Sequence, residues 1–109
     1  MATPVVLGDF EQLVILGVFQ AGAEAYGVSI WKEIATRTAR DVSMGAVYKT
    51  LERLETKGLL TSRVGPPTSE RGGRSKRIYG VTTAGRRAVR SFVSALISMT
   101  AGLEQALEP

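Results

Sequence analysis

Neither cysteine nor histidine occurs anywhere in the 109 residues of this chain. Disulfides, thiolate nucleophiles and Cys/His metal sites are excluded, and so is the side chain that most often serves as a general base near neutral pH. Long apolar runs are missing too. The longest, LVILGVF at residues 13–19, is too short to cross a bilayer, and MATPVVLGDF at the start lacks the basic residues of a secretory signal. A cytoplasmic location with no membrane partner is expected. The ten carboxylates are scattered, and no phosphate-binding loop, nucleophile elbow or dinucleotide fingerprint accompanies them. They read as solvated surface acids, with no catalytic role, no metal and no cofactor.

What is present is the composition of a folded domain: 44% hydrophobic and 22% charged residues, far from the polar profile of disorder. A chain of this length makes one domain with a modest core, for which a partner chain is a plausible support. Charge is distributed unevenly. Asp9, Glu11 and Glu24 precede the first base, Lys32, whereas residues 63–90 hold Arg63, Arg71, Arg74, Lys76, Arg77, Arg86, Arg87 and Arg90 against the single acid Glu70. A local excess of this kind is what a phosphate surface requires, because each neutralised phosphate releases condensed counterions. A solvated basic face would look the same by count, so position has to decide.

Asp9 followed by Gln12 resembles a capping pair, which predicts a first helix from about residue 10 to a stop at Gly22, with Phe10, Leu13, Val14, Gly17 and Val18 at helical spacing. A second helix is predicted from about Gly27 to Thr38, with Ile30, Ile34 and Ala35 inward and Lys32, Glu33 and Arg37 outward. Across the short turn TARDV comes a third, capped by Ser43, with Val47, Leu51 and Leu54 inward and Gly58 as a left-handed stop. Gly45, Lys49, Glu52 and Thr56 fall on its opposite face, and Tyr48 lies on the flank. This is helix-turn-helix spacing, although a plain helical hairpin would show it too.

The following segment separates the two. LLTSRV at 59–64 and RIYGVT at 77–82 alternate with period two and read as a strand pair, joined by the loop GPPTSERGGRSK, whose Gly72 and Gly73 sit among Arg71, Arg74, Lys76 and Arg77. A helix-turn-helix followed by a basic hairpin is a winged helix. The third helix is expected to enter a major groove by its N-terminal residues while the hairpin lies along neighbouring phosphates.

The last segment, from a cap at Thr82 or Thr83, repeats apolar residues at Val89, Phe92, Leu96, Met99, Leu103 and Ala106, in steps of 3 and 4. A helix of about 25 residues reaches roughly 37 Å at 1.5 Å per residue, more than the small domain covers by itself. The stripe is expected to pair with a second copy, with packing on the first helix as the alternative or the complement.

LGDFEQLVILGVF, AYGVSI, SMGAVYKTLERLETKGLL and SERGGRSKRIYGVTTAGRR together resemble, in order and spacing, the PadR family of bacterial transcriptional regulators over roughly residues 7–90. The resemblance implies a homodimeric winged-helix protein that binds double-stranded DNA at a palindromic operator. Such proteins usually act as repressors, often relieved by a small aromatic or cationic compound. The single helix ending at Pro109 resembles the short subfamily in which drugs bind between the subunits.

The expected fold is mainly α with a small β-hairpin: a winged helix-turn-helix DNA-binding domain over 1–82 and a C-terminal dimerisation helix over 83–109. Base contacts are expected from Ser43, Met44, Gly45 and Lys49, and phosphate contacts from Tyr48, Arg71, Arg74, Lys76 and Arg77, with Gly72 and Gly73 allowing close approach. For Tyr48, partial burial beside Leu51 stands as the alternative. Val89, Phe92, Leu96, Met99 and Leu103 are the expected dimer interface. Trp31, Phe92 and Met99 are the candidates to line a pocket for an apolar, planar effector, with Trp31 as a core residue the other reading. A protein-binding winged helix, a non-specific nucleic-acid binder and a carboxylate-only enzyme are the competing functions.

Overall fold

The computed structural model describes residues 7–67 and 75–109. Four helices and one hairpin follow in chain order: α1 (Asp9–Ala21), a 3-10 turn (Gly22–Glu24), α2 (Gly27–Thr38), α3 (Met44–Thr56), β1 (Leu60–Pro67), β2 (Ser75–Val81) and α4 (Thr83–Thr100). Among the described residues no helix is long and apolar enough to cross a membrane.

The inward faces meet in one core. Val14, Ile15 and Val18 of α1, Ile30 and Ile34 of α2, and Val47, Leu51 and Leu54 of α3 are buried, and Leu59, Leu60 and Val89 close it from the hairpin and α4. Each such side chain contributes about 1.5–3 kcal/mol by leaving water. The expected bounds of α2 and α3 hold, as do the stops at Gly22 and Gly58, which take φ of 67° and 78°.

The first helix is capped differently from the expectation. Gly8, not Asp9, is the N-cap, and it donates its N–H to the Glu11 carboxylate at 3.1 Å. Asp9 turns outward to pair with Arg40 at 3.3 Å, while Glu11 also receives Lys57 at 2.9 Å, tying α1 to the end of α3. Gln12, the proposed capping partner, is buried with its Oε1 unpaired.

The strands are longer than the period-two pattern indicated. β1 and β2 pair antiparallel from Leu60 opposite Val81 to Val64 opposite Arg77, and again at Pro67 opposite Ser75, past an irregularity between Val64 and Pro67. Gly65, Pro66, Pro67, Ser75 and Lys76 therefore belong to the hairpin stem rather than to the loop. Proline is tolerated there because an edge strand beside a bulge leaves positions whose N–H has no ladder partner.

α4 starts where expected, with Thr82 Oγ1 accepting from the Gly85 N–H at 3.1 Å. A Cβ on Gly85 would collide with the Leu59 carbonyl, so this glycine lets α4 sit directly on the backbone at the root of the hairpin. The helix ends at Thr100, after 18 residues instead of about 25, and Gly102 at φ 83° turns the chain away. Leu103 and Ala106 lie beyond it. Val89 is buried in the chain's own core, so the apolar stripe left outside begins at Phe92.

Candidate nucleic-acid interface

A recognition surface on a helix needs that helix held rigidly, and the turn between α2 and α3 is stapled at several points. Trp31 donates its indole N–H to the Val42 carbonyl at 2.6 Å. Thr38 Oγ1 donates to the Ile34 carbonyl and accepts from the Arg40 N–H, closing the end of α2, and Ala39 adopts a left-handed conformation at φ 55°. Ser43 then caps α3, its Oγ accepting from the Ala46 N–H at 3.0 Å. Trp31 is thus half-buried against the core with its one polar atom engaged at the turn.

With Val47, Leu51 and Leu54 buried inward, α3 exposes Ser43, Gly45, Tyr48 and Lys49, with Met44 half-buried beside them. These residues crowd the N-terminal half of the helix, which carries no acid before Glu52. Glu52 and Glu55 occupy the C-terminal half. Within the helix, the N-terminal half of the exposed face is therefore the less acidic one. Arg53 lies one turn beyond Lys49 along the same cleft against the start of α1. It was not singled out from the sequence, although its i+4 spacing from Lys49 was the available signal.

Tyr48 divides its ring between two roles. It is 48% exposed, yet a Cβ on Gly27 would run into the ring and hydroxyl, so the tyrosine rests against the first residue of α2. The side chain is therefore partly packed and partly open to solvent.

The hairpin stem is bonded to the body at several points. Arg77 donates to Ser62 Oγ at 3.0 Å, and that hydroxyl donates to the Glu55 carboxylate at 2.7 Å, which links β2 through β1 to α3. Lys76 places its Nζ 4.0 Å from the centre of the Tyr26 ring. The Tyr79 N–H donates to the Ala25 carbonyl at 2.7 Å. Burial, reinforced by the negative charge of Glu55, pushes the Tyr79 hydroxyl above its ordinary pKa. Of the expected phosphate ligands, Lys76 and Arg77 thus sit at the stem beside α3 and the start of α2. Arg71, Gly72, Gly73 and Arg74 lie outside the described residues.

The outer half of α4 forms a separate apolar surface. Phe92 is half-buried, Leu96, Ile97 and Met99 are exposed, and Leu103 and Leu107 continue the apolar surface past the helix end.

The PadR-like family of transcriptional regulators matches residues 15–91, which run from the middle of α1 to the middle of α4. The chain belongs to that family. As a PadR-like protein it is a DNA-binding transcriptional regulator and not an enzyme. Solved structures share the fold. A PadR family regulator from Eggerthella lenta is 26% identical, with a TM-score of 0.64 over 89% of this chain and 82% of its own. A PadR-like regulator from Bacillus cereus is 19% identical and superposes with a TM-score of 0.72 over 92% of each chain. One from Clostridium difficile is 20% identical, with a TM-score of 0.69 over 93% of this chain and 100% of its own. No curated protein sequence matches this PadR-like chain.

Proposed function

We propose that this PadR-like protein is a cytoplasmic homodimeric repressor whose two α3 helices address successive major-groove half-sites of a palindromic operator. The observation that carries the reading is the exposed N-terminal half of α3, free of acids, capped by Ser43 and flanked by a basic hairpin stem. In this reading Ser43, Met44, Gly45 and Lys49 face base edges, while Tyr48, Lys76, Arg77 and the loop bases Arg71 and Arg74 meet phosphates, with Gly72 and Gly73 leaving room for the backbone. The exposed row Leu96, Ile97 and Met99, with Phe92 at its root, supports pairing of two copies through α4. Leu103 extends the same contact.

A small apolar, planar effector would occupy the crevice between the two copies, lined by Trp31, Phe92 and Met99. Titration of planar dyes and drugs followed by Trp31 emission tests this part. Selection of bound sequences from a random duplex library tests the rest. The expected result is a palindrome with half-sites about 10 base pairs apart, centre to centre. Lys49→Ala should then cost about 1–3 kcal/mol on the selected site and relax preference at one position per half-site. Failure to enrich any sequence, or an unchanged preference in Lys49→Ala, would reject α3 as the reading helix.

A further inference from the structure

All three tyrosines of the chain, Tyr26, Tyr48 and Tyr79, converge where α2 begins, between the exposed face of α3 and the hairpin stem. Tyr48 comes from α3 and lies against Gly27. Tyr79 comes from β2 and hooks its backbone N–H onto Ala25. Tyr26 is the residue between these two attachments. Its own backbone is fixed: the N–H donates to Ser29 Oγ at 3.0 Å, the carbonyl accepts from Ile30, and Ser29 donates in turn to the Glu24 carbonyl at 2.6 Å. These bonds fix the point from which the ring projects.

Above that ring sits Lys76. The ammonium at 4.0 Å from the ring centre is a cation–π contact, and it lies three residues along β2 from the Tyr79–Ala25 hydrogen bond, or roughly 10 Å at the rise of a strand. With the Ser62–Glu55 bond that ties β1 to α3, these attachments define a direction for the hairpin, and the Lys76 contact is the one nearest its tip. We infer that Tyr26 is a positioning residue for DNA binding: by holding Lys76 over its ring beside the Tyr79–Ala25 bond, it sets the angle at which the hairpin leaves the body relative to α3. The inference rests on the reading of α3 and the hairpin as the DNA-binding pair. Its consequence is that a neutral side chain governs how many phosphates the basic hairpin reaches.

The test compares Tyr26→Leu, Tyr26→Phe and Lys76→Met with wild type in two measurements. Without DNA, the ring current of Tyr26 shifts the Lys76 ε-methylene protons upfield in the NMR spectrum, a shift that Tyr26→Phe keeps and Tyr26→Leu loses. With a generic duplex, the slope of log affinity against log salt counts the phosphates met, about 0.9 per contact. Tyr26→Leu removes no charge yet is expected to lower the slope by at least that amount, and Tyr26→Phe to restore it. If Tyr26→Leu fails to fold, Lys76→Met carries the test. A drop larger than about 0.9 shows that more than its own charge has been misplaced. An unchanged slope in Tyr26→Leu, or a Lys76→Met drop of one contact only, overturns the inference and leaves Lys76 as a simple phosphate ligand. Loss of all salt-dependent binding in wild type would reject the DNA reading itself, with the NMR shift still reporting separately whether the ring holds the lysine.

Discussion

At Glu11 burial and bonding pull in opposite directions. Desolvation favours the neutral acid, but the Lys57 ammonium at 2.9 Å and the Gly8 N–H at 3.1 Å favour the carboxylate, and together they hold its pKa below the ordinary glutamate value. A carboxyl whose folded pKa is depressed stabilises the fold above its unfolded pKa, about 4.3, and that contribution is lost as the pH falls through the lower folded value. Lys57→Met removes the larger of the two opposing bonds and leaves burial in charge, so the Glu11 pKa should rise. Its stability deficit against wild type is then expected to be greatest near neutral pH and to shrink as the solution is made acid below the ordinary glutamate range. Thermal melts over that pH series check it, and a deficit that does not change with pH would exclude the Lys57–Glu11 link as its source.

Among the elements, α3 depends on Ser43 twice. Its hydroxyl satisfies the Ala46 N–H, and the residue stands at the end of the helix proposed to enter the groove. Ser43→Ala should cost about 1 kcal/mol of stability through the lost cap. Binding to the selected operator should weaken beyond that of Thr56→Ala, whose hydroxyl bonds only to the Glu52 carbonyl at the far end of the same helix. Equal affinities for the two variants in a titration would remove Ser43 from the contact surface. α4 is the element that departs furthest from its reading in the sequence. Its apolar steps run unbroken through Leu103, yet the helix ends before the left-handed Gly102. At 18 residues it spans about 27 Å. The inner part of that length, at Gly85 and Val89, is spent on its own domain.

For the whole molecule, the apolar row beyond Val89 is, among the described residues, a surface that one chain leaves uncovered. The proposed dimer predicts that Leu96→Asp, which would place an unpaired charge in the contact, halves the mass measured by light scattering at micromolar concentration. Leu96 is 46% exposed within the single chain, so the fold should survive the change with a melting curve close to that of wild type. A variant that keeps the dimer mass would send the contact elsewhere. One that loses the mass should also lose operator affinity, because two half-sites held by one dimer are bound as a unit.

The sequence by itself determined most of what depends on near neighbours, although not the cap of α1, which Gly8 makes with Glu11 three residues on. The bounds of α2, the Ser43 cap, the inward row Val47, Leu51 and Leu54, and the pairing of two strands after Gly58 follow from hydrophobic period, capping chemistry and turn residues within a few positions. Enough of these local patterns occur in order to carry the family as well. Tertiary structure decided what depends on groups far apart in the chain. Asp9 pairs with Arg40, 31 residues away, and Glu11 meets Lys57 across 46 residues, neither of which a local pattern states. Lys76 reads in the sequence as one base among several, and only the fold brings the Tyr26 ring beneath it, 50 residues away. Periodicity states which face is apolar but not what covers it, so Val89 and Leu96 carry the same signal in the sequence. Only the packing of α4 on the shared core places one inside it and leaves the other in solvent.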